Sequence, residues 1–352
     1  MKKIYFIGSL GGKKKSIDGS SIKNLILFNE ISKLINIEKI DTRNWRKNLI
    51  TIVKVFKVLF FTQKFTNVVL SANSYGAYPF LKINKKCKYL TSKKIYYFVI
   101  GSELVEKLEK NILDKKYFQD SLVKKIYVET ENMKERLNQL EILNVEVIKN
   151  FKEIPQEIFK TKNIIEGRVK CFFLSRIVKE KGFELIFKLL NKINEKEIKI
   201  EVDFFGPILP SEKEEFLKKI SETKGACYKG CLDFINDKET SYKKLLKYNT
   251  MLFPTLFKNE GHPGVLIDSM GIGVPVISSY LKNFEDFIKH GENGIFFEQG
   301  NEEDFEKKIL EIIDGKINLN YLTKNCLKKR DEYKPSKVLE KAIKEIREGN
   351  LL

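Results

Sequence analysis

The stretch that most restricts what this chain can become is 250–278, where a short apolar run, a polar loop, a helix-forming segment and a second apolar run succeed one another without interruption. Residues 251–253 read as a buried strand that Pro254 stops. Gly261, Pro263 and Gly264 shape a loop whose main-chain N–H groups open a helix over 265–270. Unpaired N–H groups and the positive end of the helix dipole favour a phosphate at that point. Glu260 precedes the helix, and Asp268 comes four residues after Gly264, about one turn or roughly 6 Å along the axis. Two carboxylates therefore stand beside an anion cradle, which suits a ligand that carries both phosphates and hydroxyls. The bland alternative is an ordinary strand, loop and helix with surface acids.

The same alternation runs through the chain. Strands are expected at 4–8, 68–70, 95–99, 125–128 and 145–148, with helices at 22–34, 44–61, 101–113 and 132–140. A polar segment with Pro155, over 150–167, reads as a linker. Beyond it strands are expected at 171–175, 200–205, 226–229 and 294–297, besides the two within 250–278. Helices are expected at 182–193, 211–223, 239–247, 284–289, 302–313, 320–331 and 336–347. Strands alternating with helices make a parallel sheet covered on both faces. At 352 residues the chain is too long for one ordinary core. The expectation is α/β, with two doubly wound domains at 1–150 and 151–334 and the helix near 335–352 packed back on the first. Ligands bind such sheets beyond the carboxyl ends of the strands, so Asn73, Gly101, Ser102 and the segment 129–131 are rim candidates.

Charge separates the halves. Of a net +18, residues 1–150 contribute 29 basic against 14 acidic side chains, and the remainder 36 against 33. Between Asp41 and Glu103 there is no acid and there are 12 basic residues. The first half therefore meets something anionic: a membrane surface, a nucleic acid or a phosphorylated substrate. Over 44–61, Trp45, Phe56 and Phe60 alternate with Arg46, Lys47, Lys54 and Lys57, as in a helix lying at a membrane interface. The other reading of that segment is a helix buried on a wide face with its lysines reaching out to water. A nucleic-acid partner rests on charge alone, without a zinc-finger or RRM signature. Five scattered cysteines fit reduced thiols in a cytoplasmic protein, and two histidines with one close Cys pair do not make a zinc site. The uncharged stretch 65–81 contains Asn67, Asn73, Gly76 and Pro79 and does not span a bilayer. The apolar run at the N-terminus is four residues long and reads as a first strand, not a signal peptide.

Arg176 and Lys181 stand at the carboxyl edge of the 171–175 strand, placed to neutralise a diphosphate. Together with Asp203 and Gly206, with Glu260 through Asp268, and with Gly271, Gly273 and Pro275, they make the second half resemble the donor-binding domain of glycosyltransferase family 4. Those are retaining enzymes of GT-B fold, two Rossmann-like domains facing a cleft. The first half resembles the family more loosely, through the Gly/Ser loop at 19–21, the 97–101 stretch and Asn150 with Phe151. The resemblance implies a catalytic set of Glu260, Arg176 and Lys181, with the two cations on the donor diphosphate and Glu260 on hydroxyls of the transferred sugar. It also implies donor contacts from Gly261, His262, Pro263, Gly264, Val265 and Leu266, and from Gly19. Asp268 stands where the family has a glutamate on the nucleotide ribose, one methylene shorter. Gly101, Ser102 and Asn73 fall on the acceptor side. The family needs no metal or other cofactor, and the sequence has no Asp-x-Asp triplet to hold Mg²⁺. A UDP- or GDP-linked sugar donor and a lipid-linked or glycan acceptor are implied with it. The setting is surface polysaccharide assembly, with the protein peripheral on the inner face of the cytoplasmic membrane, an anionic surface, and no nucleic acid as partner. A nucleotide-sugar epimerase or an inverting transferase of the same architecture is the alternative, and from a different class a nucleic-acid-binding protein.

Overall fold

The computed structural model describes residues 3–11, 19–43, 45, 48–155, 168–258 and 260–349. The chain forms two compact units, one of Met1–Glu153, Asn259–His262 and Lys334–Leu352, the other of Ile154–Lys258 and Pro263–Tyr333.

In the first unit β1 (Ile4–Gly8), α1 (Gly19–Ser32), β2 (Ile37–Asp41), α2 (Leu49–Phe61), β3 (Asn67–Ala72) and α3 (Ser74–Lys86) are succeeded by β4 (Lys94–Val99), α4 (Glu103–Glu109), β5 (Val123–Val128), α5 (Glu131–Gln139) and β6 (Val145–Val147). The strands form one parallel sheet in the order β2-β1-β3-β4-β5-β6. Successive side chains of a strand point to opposite faces. Accordingly Ile4 and Phe6 enter one core while Tyr5 and Ile7 enter the other. Burial on both faces is why these strands read as unbroken apolar runs.

The second unit contains β7 (Val169–Leu174), α6 (Phe183–Ile193), β8 (Ile200–Phe205), α7 (Lys213–Glu222), β9 (Ala226–Tyr228), α8 (Lys238–Leu245) and β10 (Thr250–Phe253). After these come α9 (Gly264–Gly271), β11 (Val276–Ser279), β12 (Gly294–Phe297), α10 (Glu302–Ile313) and α11 (Leu319–Lys329). Its parallel sheet has the order β12-β11-β10-β7-β8-β9, with Cys171 and Phe173 in one core and Phe172 and Leu174 in the other. The chain then returns to the first unit as α12 (Pro335–Val338) and α13 (Glu340–Glu348). Leu339, Ala342, Ile343 and Ile346 join Phe6 and Tyr96 in a core, Asn67 Nδ2 donates to Ile346 O at 3.1 Å, and the Tyr127 hydroxyl donates to Glu345 Oε2 at 2.8 Å.

Each sheet reverses its direction of growth once, between β1 and β3 and between β7 and β10. There the connections leave in opposite directions and a crevice opens at the carboxyl ends of the strands.

Several elements differ from the sequence expectation. The edge strand β2 is absent from it, because Glu38 and Lys39 are exposed and interrupt the apolar pattern. Helix α3 is also absent, because Gly76 and Pro79 argue against it. Pro79 is its sixth residue and lacks the N–H for a bond to Tyr75 O, yet burial of Ala77, Phe80 and Leu81 holds the helix. The helix expected at 101–113 ends at Glu109, where Ile112 N donates to Lys107 O and Asn111 takes a left-handed φ of 54°. In place of a helix at 284–289 there is a 3₁₀ turn, Lys282–Asp286. Asn293 occupies the groups a helix would use, accepting from Lys289 N at 2.6 Å and donating to Phe287 O at 2.9 Å. The helix expected at 44–61 starts at Leu49, where the Asn48 side chain accepts from Ile50 N and Thr51 N. Asn44, Arg46 and Lys47 lie outside the described residues, as do 156–167 of the linker.

Candidate active site

At the reversal between β7 and β10 the second unit presents its cations. Arg176 is exposed two residues beyond β7, and Lys181 ends a 3₁₀ turn, Lys179–Lys181. Gly182, the next residue, has φ +76°, and a Cβ built there would stand 1.7 Å from Pro254 O. Only a glycine lets the turn after β7 rest on the loop after β10. Leu256 N donates to Glu180 O at 2.8 Å across the same contact. Gly206, at the end of β8, has φ +132° and would set a Cβ 1.8 Å from Ser175 O, so the main chain entering Arg176 is clamped from the other side. The Lys181 ammonium lies 5.4 Å from the Phe257 ring centroid and 6.0 Å from that of Phe253. Two cations are thus held on a rigid rim, one a bidentate fork and one a point charge.

Helix α9 begins beside this rim in sequence. Its N-cap residue, Pro263, makes no side-chain cap bond, and Pro263, Gly264 and Val265 are partly exposed while Leu266 is buried. An uncapped first turn presents its N–H groups and the positive end of its dipole to an anion. Asp268 is 1% exposed, and the Tyr242 hydroxyl donates to its Oδ1 at 2.7 Å. The hydrogen bond holds this carboxylate in one orientation. Asp268→Asn is expected to raise the donor KM more than it lowers kcat, since the ribose contact that the resemblance implies acts equally in ground and transition states. Tyr242→Phe should shift KM in the same direction, and steady-state kinetics on both variants check this. A collapse of kcat alone would give Asp268 a chemical role.

Residues 260–262 belong to the first unit. His262 N donates to Glu129 Oε2 at 3.1 Å, and a Cβ on Gly261 would stand 2.6 Å from that same oxygen. A methyl there would have to displace the tip of the Glu129 side chain from its bond to His262 N. Glu129 Oε1 is paired with the buried Lys23 ammonium, which lies 5.9 Å from the Phe151 ring centroid. Asn150 completes the cluster, its N donating to His262 Nδ1 at 3.3 Å and its Nδ2 to His262 O at 2.8 Å. Glu260, buried beside these groups in sequence, is carried by a segment with little freedom.

His262 is 2% exposed. Burial first, then the charges of Lys23 and Lys149, pushes its imidazole from 6.5 down to about 3. It is neutral, and its Nδ1 accepts from Asn150 N. The unfolded chain takes up this proton near pH 6.5 and the folded chain only near pH 3. Stability contributed by His262 is therefore complete above about pH 6.5 and is lost as pH falls from there toward 3. His262→Asn should flatten that decline, which urea unfolding at about pH 7 and about pH 4.5 measures.

The remaining sequence candidates lie on the first unit. Asn73 caps α3, accepting from Gly76 N at 2.9 Å. Gly101 is exposed with φ +79°, and Ser102 precedes α4. Gly19 opens α1, with nothing within 4 Å of an added Cβ. Asn24 secures the start of α1 at the β1/β3 reversal, accepting from Ser71 Oγ at 2.6 Å and donating to Ser9 O at 3.0 Å. Sequence reading passed over Lys23 and Tyr242. A lysine on the apolar side of α1 was a signal for the first; nothing local marks the second. Among the described residues no group of three or more His, Cys, Asp or Glu could hold a metal ion, and no helix is long and apolar enough to cross a membrane.

Two six-stranded parallel sheets, each with helices and one reversal, are the GT-B architecture. Residues 155–329 match the family described as glycosyl transferases group 1, and the fold is the GT-B fold of solved glycosyltransferases. Among solved structures it is similar to TarM from S. aureus in complex with fondaparinux, α-GlcNAc-glycerol and UDP, at 19% identity and a TM-score of 0.61, over 79% of this chain and 55% of that one. It thus spans about half the length of TarM. HepE from Anabaena in complex with UDP has 12% identity and a TM-score of 0.71 over 98% and 100% of the two chains. The lipopolysaccharide outer core galactosyltransferase WaaB, in apo form, has 16% identity and a TM-score of 0.69 over 99% and 98%. At such identities the likeness shows the fold. No curated protein sequence matches the chain at a significant level.

Proposed function

We propose that the protein moves a sugar from a UDP- or GDP-linked donor to a lipid-linked or glycan acceptor. The transfer retains the anomeric configuration and uses no metal ion; it serves surface polysaccharide assembly at the inner face of the cytoplasmic membrane. The observation that carries this reading is the turn bearing Arg176 and Lys181, held by Gly182 and Gly206 at the β7/β10 reversal, with the uncapped start of α9 coming after β10. UDP bound in the TarM and HepE structures supports a nucleoside diphosphate as the leaving group.

In the reaction the bond from the anomeric carbon to the diphosphate oxygen breaks and the acceptor oxygen bonds to that carbon. The acceptor hydroxyl proton passes to the departing phosphate oxygen. Negative charge grows on the diphosphate, and Arg176, Lys181 and the N–H groups of α9 oppose it. Preorganised donors of this kind are each worth about 10²–10³ in turnover. Glu260 binds hydroxyls of the transferred sugar, Asp268 the ribose, and Asn73, Gly101 and Ser102 line the acceptor side.

Free-nucleotide release across a panel of UDP- and GDP-sugars, with lipid-linked and glycan acceptors, tests the proposal. Release of UDP or GDP from one donor, lost in an Arg176→Ala/Lys181→Ala variant, is the expected result. Release from none of them, or equal release by the variant, would overturn it. Turnover is also expected to survive EDTA, since the opposing charge comes from side chains and a helix start. Strict dependence on Mg²⁺ or Mn²⁺ would contradict that assignment of charge.

A further inference from the structure

Helix α2 has two apolar faces, and only one of them is used by the fold. Thr51, Val58 and Leu59 are buried, and Asn48 caps the start. At 100° per residue, Leu49, Val53 and Phe56 fall on the opposite side, where Leu49 is 78% exposed and Val53 and Phe56 are about half exposed. The Phe56 ring packs on Phe60 at 4.4 Å between centroids and lies 6.1 Å from Phe61, itself 77% exposed. A helix on a domain surface ordinarily turns a polar face outward. Here the outward face is aliphatic and aromatic, with no acid in α2 and with Lys54 and Lys57 exposed along one flank.

The apolar surface continues beyond the helix. Phe65 N donates to Ser92 O at 2.8 Å, and the buried Lys93 ammonium donates to Thr62 O and Gln63 O at 2.9 and 2.8 Å. These bonds fasten the turn after α3 to the end of α2. That turn carries Tyr89, 90% exposed, and Leu90, with Lys88 exposed beside them and Lys64 exposed in the loop after α2. Lys54, Lys57, Lys64 and Lys88 form no ion pair among the described residues, and the chain has no acid from 42 to 102. Apolar side chains projecting past a rim of unneutralised lysines match a bilayer in which anionic headgroups overlie acyl chains.

We propose that the outer face of α2, continued by the 88–90 turn, is a docking surface for an anionic lipid bilayer, into which Phe56 and Phe61 insert while Lys54, Lys57, Lys64 and Lys88 meet headgroup phosphates. The proposal rests on the proposed function only in giving its membrane-borne acceptor a route to the enzyme, and vesicle binding is measured without donor or acceptor. Its outcome is therefore separate from that of the activity assay.

The test is flotation of the full chain with phosphatidylcholine vesicles with and without phosphatidylglycerol, at low and high salt. Binding is expected only to the anionic vesicles, weakening as salt shortens electrostatic reach to about 8 Å or less. Lys54→Gln/Lys57→Gln/Lys64→Gln/Lys88→Gln should lower partitioning about a thousandfold, and Phe56→Ser/Phe61→Ser should remove the fraction that resists salt. Both variants should keep wild-type turnover on a soluble acceptor analogue. Wild-type protein that does not float, or a lysine variant that floats like wild type, would overturn the proposal. So would a stable dimer in light scattering that Phe56→Ser/Phe61→Ser converts to monomer, which would assign the face to a second copy of this chain.

Discussion

Lys181→Ala and Glu260→Gln are each expected to lower kcat/KM by about 10²–10³-fold while the protein remains folded. Lys181 is partly exposed at the end of a turn and fills no core; what it loses on truncation is a charge and contact with the Phe257 ring. Its loss falls mainly on kcat, because the diphosphate gains charge on the way to the transition state. Glu260 is nearly buried, so the isosteric glutamine is the cleaner change: shape is kept and a charged acceptor for sugar hydroxyls is lost. Steady-state kinetics with the cognate donor, alongside circular dichroism, separate lost chemistry from lost structure. Near-normal turnover in either variant would remove that residue from the site.

Gly182→Ala and Gly206→Ala are expected to destabilise the second unit by about 2–6 kcal/mol each. Both positions have positive φ, which costs an alanine about 1–3 kcal/mol. Both also bring the new methyl to a main-chain carbonyl, at 1.7 Å from Pro254 O and 1.8 Å from Ser175 O. A carbonyl in a sheet connection cannot rotate aside as a side-chain tip can, so the strand ends must separate. Gly315→Ala is the control: φ is +71° but nothing lies within 4 Å of the added Cβ, so it bears the backbone cost alone. The difference in urea unfolding between Gly182→Ala and Gly315→Ala isolates the close approach. Equal losses would show that the loop after β10 gives way freely and that the cation rim is not rigid.

The legible part of this protein was the part written in short range. The 250–278 stretch names its strand, loop and helix through Pro254, Gly261, Pro263 and Gly264, and the helix is one residue longer at each end than expected. The ladder of buried strands was readable for the same reason, since burial on both faces leaves continuous apolar runs. Where the local signal was contrary the reading failed. Pro79 concealed α3, whose existence depends on three buried side chains, and charges in β2 concealed a strand that needs only one neighbour. Asn293 replaced a helix at 284–289 by bonding to its main chain from beyond it.

By itself the sequence determined the two α/β units, the cations at a strand's carboxyl edge and the glycine-rich helix start, because each depends on residues within a few positions of one another. Only the tertiary structure decided the rest. Strand order put β7 next to β10 and so made one rim of two loops far apart in sequence, with Gly182 against Pro254. Long-range contacts sealed His262 and set Glu129, 133 residues earlier, against the main chain of Gly261 and His262. Packing among the described residues also left the outer face of α2 uncovered, which its composition alone could not distinguish from a helix buried on both sides. Periodicity reports which side chains avoid water; which neighbours enclose them, and which carboxylate is left to hold a loop, depends on the three-dimensional path of the whole chain.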